Sequence, residues 1–268
     1  MAAGAQKTVL CMKWGRKYGP EFVNALYYGV SRHLTGPYRF LCLTDDPTGL
    51  APGIETHPLP DTPLKAGLLD RKRHGEGWRK LAVFQRGLAD LQGTVLFLDV
   101  DVAITGSLDR LFAFEPGRFC IIRDWLEIRR YPFRRVFQRR FHPQADSNSS
   151  VFRYEMPEHA YAYEHLMANQ NWADRNFRLA QQYMGAAIGD RAFWPAEWVV
   201  SFKRALKRLF PLNLFLAPTR PRDASIVVFH GHPGPDEAIE GYRRGLHSRT
   251  RPAEWLRQHW HGASQGER

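Results

Sequence analysis

Apolar positions along this chain switch between two spacings. Residues 8–13 are almost continuously apolar, the pattern of a short strand buried on both faces. Pro20 then opens a segment with Phe22, Val23, Leu26, Tyr27, Val30 and Leu34 at helical spacing, with the proline in the first turn, where it is tolerated. Thr35-Gly36-Pro37 breaks this pattern, and residues 38–44 resume as a strand. A further strand is predicted over 54–59. From Trp78 the spacing Leu81, Phe84, Leu88 and Leu91 predicts an amphipathic helix that leads into a strand over 94–98.

The second half is less regular. Residues 119–122 and 150–154 read as strands around an arginine-rich aromatic stretch at 123–141. Helical patterns follow at about 158–168 and 174–188, and the strand "SIVVF" ends at His230. There is no internal repeat and no low-complexity linker. Alternating strands and helices predict an α/β chain with a mixed, mainly parallel sheet flanked by helices, in which ligands bind beyond the carboxyl ends of the strands.

One strand ends unusually. In "VLFLDVDVAITG", residues 95–106, Asp99 and Asp101 interrupt the most apolar run of the chain. In an extended segment residues i and i+2 share a face, so the two carboxylates aim at one point while Val100 turns to the core. Like charges placed so close repel unless a cation lies before them. Mg²⁺ or Mn²⁺ suits such oxygen ligands, often together with substrate phosphates. An Asp-x-Asp tripeptide is common, and capping of the following turn is its plain alternative.

Charge adds a direction. The 268 residues carry 38 Lys and Arg against 27 Asp and Glu, a net +11, and only eight of the bases are lysines. This balance favours an anionic partner: nucleic acid, an anionic membrane surface or a phosphate-bearing substrate. In 129–140 and in "FKRALKRLFPLNLF", 202–215, basic residues interleave with aromatic and aliphatic ones, a pattern suited to anionic lipid. No apolar run reaches the roughly 18 residues of a membrane span. No secretion signal is expected at the start, and Cys11, Cys42 and Cys120 read as reduced core thiols of a cytoplasmic protein.

Taken together, "VLFLDVDVAITGSLDRLF" and its neighbours resemble the DxD region of GT-A-fold nucleotide-sugar glycosyltransferases, most closely the glycogenin-like retaining group. "VLCMKWGRKYGPEFVNALYYGV" looks like that family's first strand and helix, "GWRKLAVFQRGL" like the helix before the DxD strand, "DSNSSVFRY" like its N-S-G-V strand, and "VVFHGHPGPDEA" like its closing histidine motif. The resemblance implies a Rossmann-like GT-A domain over 1–268. Its nucleotide-binding half would be 8–123, and its acceptor side and metal-binding closing segment 124–260. It implies Mn²⁺ (or Mg²⁺) on Asp99, Asp101 and His230. Donor contacts would come from Lys13, Trp14, Lys80, Asp99, Asn148, Ser149 and His232. Of Gln181, Gln182 and Asp190, Gln182 is favoured as the catalytic residue beside the donor sugar.

Two positions depart from the family. Gly234 and Asp236 stand where Lys and Trp are expected, which leaves Lys203, Arg204, Arg220 and Arg222 as sources of the missing cation. The expected activity is metal-dependent transfer of a hexose, with retention, from a nucleotide-diphosphate sugar, UDP being the usual carrier. The acceptor would be a glycan or lipid-linked molecule, in polysaccharide biosynthesis at the inner membrane face. Two other functions compete. A Mg²⁺-dependent phosphohydrolase of the haloacid-dehalogenase type would place its acidic pair after the first strand and carry Thr where Ala103 stands. A basic nucleic-acid-binding protein would leave the acidic pair unexplained.

Overall fold

In the computed structural model, which describes residues 7–69, 75–124 and 146–260, the central layer follows from strands that are apolar on both faces. Along β1 (Lys7–Lys13), Val9 and Cys11 enter one core and Leu10 and Met12 the other. Phe40 and Cys42 oppose Leu41 and Leu43 in the same way along β2 (Tyr38–Thr44). The same division holds in β4 (Gly93–Leu98), where Leu96 and Leu98 oppose Val95 and Phe97. Such strands are stable only when both faces are covered.

The covers are helical. On one face lies α1 (Pro20–His33), which buries Val23, Leu26 and Val30. On the other lie α2 (Ala66–Leu69), which buries Leu68, and a 3-10 helix, Gly75–Phe84, whose Trp78, Leu81 and Phe84 are fully buried. These three recur every third residue, the spacing that a 3-10 helix brings onto one edge. The helix expected to run on to Leu91 therefore stops at Phe84. Gly87 takes a left-handed φ of 75°, and a short 3-10 turn, Leu88–Asp90, contains the positive φ values of Ala89 and Asp90.

Among the described residues, seven strands form the main sheet in the order β3-β2-β1-β4-β7-β6-β8, with β3 at Glu55–His57, β6 at Phe119–Arg123, β7 at Ser147–Met156 and β8 at Arg191–Phe193. Only β7 runs against its neighbours, pairing antiparallel with both β4 and β6. The sheet is mixed and mainly parallel, as the sequence pattern predicts. The strand expected at 54–59 is the three-residue β3. The helical pattern over 174–188 divides, because α5 (Gln170–Asn176) ends before α6 (Ala180–Ile188), and α4 (Tyr161–Ala168) precedes both. The basic aromatic stretch at 129–140 lies outside the described residues.

After β4 the chain leaves the main sheet. β5 (Val102–Ile104) joins a second, three-stranded sheet, antiparallel to β10 (Ile226–Val228), which pairs in turn with β9 (Val199–Ser201). Gly106 closes this excursion, for a Cβ there would lie 2.8 Å from the Ala224 carbonyl oxygen. All three cysteines are buried and free. No helix of the described residues is long and apolar enough to cross a membrane.

A buried cation braces the corner after this excursion. Arg153 of β7 donates through Nη1 to the carbonyls of Leu111 (2.5 Å) and Phe112 (3.0 Å), and through Nη2 to those of Glu115 (2.6 Å) and Arg118 (3.3 Å). Leu111 and Phe112 belong to α3 (Asp109–Ala113), so the guanidinium ties this helix to the main sheet. Replacing Arg153 with Met leaves the buried Leu111 carbonyl and three partly buried ones without this donor and is expected to cost about 3–5 kcal/mol. Urea unfolding of Arg153→Met measures it; a loss below about 1 kcal/mol would show that the brace is dispensable.

Candidate active site

Strand order places the site. From β1 the chain builds outward through β2 and β3, then returns to set β4 on the other side of β1. The carboxyl ends of β1 and β4 therefore flank the point where the winding reverses, the crevice in which open α/β sheets hold ligands. Lys13 and Trp14 stand at one end and Asp99 at the other.

The two aspartates occupy the change of sheet itself. Asp99 still belongs to the main ladder, its N–H donating to Ser150 O at 2.9 Å. Val100 is buried, Asp101 sits in the turn, and Val102 begins β5. Each carboxylate has one strong protein contact. Lys80, on the 3-10 helix, donates from Nζ to Asp99 Oδ1 at 2.6 Å and to Ser149 O at 3.1 Å. The Tyr18 hydroxyl donates to Asp101 Oδ2 at 2.7 Å.

These contacts leave the pair electrostatically stressed. Burial, and then the Asp99 carboxylate, push the pKa of Asp101 up to about 6, against the lowering pull of Tyr18, Lys17 and Lys80. Burial and the same carboxylates raise the Tyr18 phenol, which keeps it a neutral donor.

A cavity of about 370 Å³ opens in front of the pair. Lys13 and Trp14 from β1 and its following loop line it, as do Lys80, Asp99, Asp101 and Ser149. Gln181, the less favoured of the two glutamines offered for the place beside the donor sugar, also lines it, as do Lys17, Tyr18 and Ser150, which the sequence pattern does not single out as donor-binding. Lys17 and Tyr18 carried a readable signal, a base and an aromatic in the loop that ends β1. That loop turns at Gly15, whose φ of 62° suits glycine and whose N–H donates to Asp45 Oδ2 at 2.9 Å.

Four expected residues stand outside the cavity walls. Asn148 Oδ1 accepts the Ser150 N–H at 3.0 Å, where β6 and β7 shift register between Ile121 and Ile122. Gln182 Oε1 accepts the N–H groups of Arg178 and Leu179, both at 3.2 Å, and so caps α6. His232 is exposed, its Nδ1 2.7 Å from Glu237 Oε2 and its ring stacked on Tyr242. His230 follows β10, and its carbonyl accepts from the Lys203 ammonium.

Burial, then Lys203 and Arg204, lower the His230 pKa to about 4, so its imidazole is neutral near pH 7. Among the described residues, no three of His, Cys, Asp or Glu come together as a ready metal cage. The two carboxylates nevertheless fit a hard cation in their chemistry, being close, partly buried and only half neutralised by Lys80 and Tyr18.

No family model matches the sequence, and no curated protein matches it. Similarity appears in solved structures. The galactosyltransferase LgtC, in complex with donor and acceptor sugar analogues, aligns with a TM-score of 0.62 at 14% identity, over 94% of this chain and 95% of that one. The glycosyltransferase GlyE of Streptococcus pneumoniae aligns at 0.58 and 12% identity, over 95% of this chain and 61% of that one. Mouse xyloside xylosyltransferase 1 aligns at 0.53 and 15% identity, over 85% of this chain and 98% of that one. At such identities the likeness speaks for architecture alone: the chain has the GT-A glycosyltransferase fold.

Proposed function

We propose that the protein is a metal-dependent glycosyltransferase that moves a sugar from a nucleotide-diphosphate donor, a UDP-sugar, to a glycan or lipid-linked acceptor, with retention. The observation that carries this reading is the acidic pair with Lys80 at the crevice between β1 and β4, in one cavity. Residues 8–123 would bind the nucleotide and 124–260 the acceptor. Peripheral contact with the anionic inner face of a membrane belongs to the same reading.

Cleaving a glycosyl phosphate bond leaves negative charge on the departing diphosphate. A bound Mn²⁺ or Mg²⁺ supplies Lewis-acid stabilisation of that charge. Asp99 and Asp101 would hold the ion, with His230 joining after a shift of the segment that follows β10. Lys80 contributes a fixed ammonium in the cavity, oriented by Asp99 and Ser149. Tyr18 holds Asp101 in its turn, while Lys13 and Trp14 stand where the nucleotide would lie. His232 and Asn148 remain donor contacts in this reading only if their present partners release them.

Of the two glutamines, Gln182 would have to abandon its cap to reach the sugar, whereas Gln181 already faces the cavity. An active-site glutamine-to-glutamate variant is described for LgtC, so a glutamine belongs to the active site of that protein, and this supports a glutamine in the cavity here.

Thermal melting with a panel of nucleotide diphosphates and nucleotide sugars, each with Mn²⁺ or with EDTA, tests the reading. At a ligand concentration near a hundred times Kd, stabilisation of about 5 °C is expected, confined to one nucleotide family and lost in EDTA. Asp101→Ala should abolish the metal-dependent part, and Lys80→Met should weaken binding of the diphosphate by about 10–100-fold. Absence of any shift in a folded sample overturns the proposal.

The stress on Asp101 gives a second expected outcome, in metal-free protein. A carboxyl whose pKa is raised on folding stabilises fully below its unfolded value, near 4, and loses that contribution as pH rises through about 6. Above that pH the ionised group penalises the fold. In EDTA, Asp101→Asn should therefore be more stable than the parent at pH 7.5, by about 1–2 kcal/mol, with the gain vanishing at pH 4. Urea denaturation at the two pH values measures it; equal gains at both would remove the electrostatic explanation.

A further inference from the structure

One loop is folded with its polar residues inward and its apolar ones outward. Asn213, only 1% exposed, donates from Nδ2 to the carbonyls of Leu246 (2.7 Å) and Arg249 (2.9 Å). Lys207 Nζ donates to His247 O at 2.7 Å, and the Phe210 ring lies 4.7 Å from that of His247. Backbone bonds from Asn213 to Leu209, Leu216 to Leu212 and Thr219 to Leu206 close the loop on itself. It is a built surface.

What it presents to solvent is apolar. Leu209 is 67% exposed, Phe215 73% and the adjoining Leu246 60%, and Phe210, Leu212 and Leu216 are exposed beside them. Single exposed apolar residues are ordinary, whereas a contiguous group marks an interaction site. Six of the eight large exposed hydrophobics among the described residues fall in this group, so ordinary scatter does not account for it.

Charge identifies the occupant. From Val199 to Arg222 the chain carries six basic residues and no acidic one, and residues 241–253 add four arginines and again no carboxylate. Asp223, which ends the first stretch, is held by Arg110 at 3.0 Å. We propose that the 209–216 loop and Leu246 form an apolar wedge that docks into an anionic bilayer, with the surrounding arginines and lysines seated among its headgroups.

A bilayer offers both halves of this match, an acyl interior for Leu and Phe and negative headgroups around it. A second copy of the chain, itself at net +11, meets repulsion at the same place. The wedge follows the π-helical turn Phe202–Leu206, where Phe202 stacks on Phe229 and Lys203 holds the His230 carbonyl. The inference rests on the membrane contact within the proposed function and names its surface. It holds whether or not a sugar is transferred.

Vesicle flotation tests it, with phosphatidylcholine alone or mixed with phosphatidylglycerol. The protein should float with the anionic vesicles alone, and high salt should release it. Leu212→Ser/Phe215→Ser and, separately, Arg243→Glu/Arg244→Glu should each weaken that binding by about tenfold or more. Both variants should keep the parent's melting temperature and its response to nucleotides. If the double serine variant melts early, Phe215→Ser alone provides the comparison.

No flotation, equal flotation with neutral vesicles, or flotation that neither variant alters overturns the proposal. So does self-association in the absence of vesicles that the serine variant abolishes, which would assign the patch to a second copy. Flotation as expected without any nucleotide response would sink the transferase reading and leave the wedge standing.

Discussion

The contact between Lys80 and Asp99 is the constraint around which the candidate site is arranged. At 2.6 Å it joins the 3-10 helix to the end of β4, and the bond from the same ammonium to Ser149 O draws in β7. Three elements thus meet at one cation. Remove it, and the two carboxylates lose their hydrogen-bonded cation at the corner where the chain changes sheets. Burial and the Asp99 charge outweigh the pull of Tyr18, Lys17 and Lys80, and the raised pKa of Asp101 is the result.

The change of sheet gives that contact its position. A strand that continued past Leu98 would carry Asp99 and Asp101 along one face of the main ladder. The chain turns at Val100 and Asp101 instead and begins β5 in the smaller sheet, so the acidic pair spans a corner with the cavity in front of it. Val100 is buried at this corner, and Arg153 braces the segment beyond β5 through four carbonyls. Close packing on both sides is what lets an irregular turn hold its shape.

How much of this could be read from residues alone varies with the length of the signal. The strands β1, β2 and β4 and the helix α1 are legible because each repeats its period several times and buries a full face. Asp99 and Asp101 are legible because they interrupt an apolar run. The small sheet is legible only in β10, through the run "SIVVF"; its partners β5 and β9, of three residues each, carry no measurable period. Trp78, Leu81, Phe84 and Leu88 fit an α-helix or a 3-10 helix about equally well, and the left-handed Gly87 separates Leu88 from the other three. Which of Gln181 and Gln182 faces the cavity depends on the residue at which α6 starts, and that start is made by a side-chain cap with no hydrophobic signature. The hydroxyl of Tyr18 reaches Asp101 only because of the path of a loop.

The reversed strand β7 has a consequence for the order in which the molecule can be assembled. β6 and β8 reach the main sheet only through β7, and β4 has β1 on one side and β7 on the other. While a ribosome is still making the first half, β4 therefore presents a bare apolar edge, Val95 to Leu98, to everything around it. The strand that leads into the acidic pair stays open on that side until β7 (Ser147–Met156) is made, and a nascent chain of this protein needs a chaperone's cover along it.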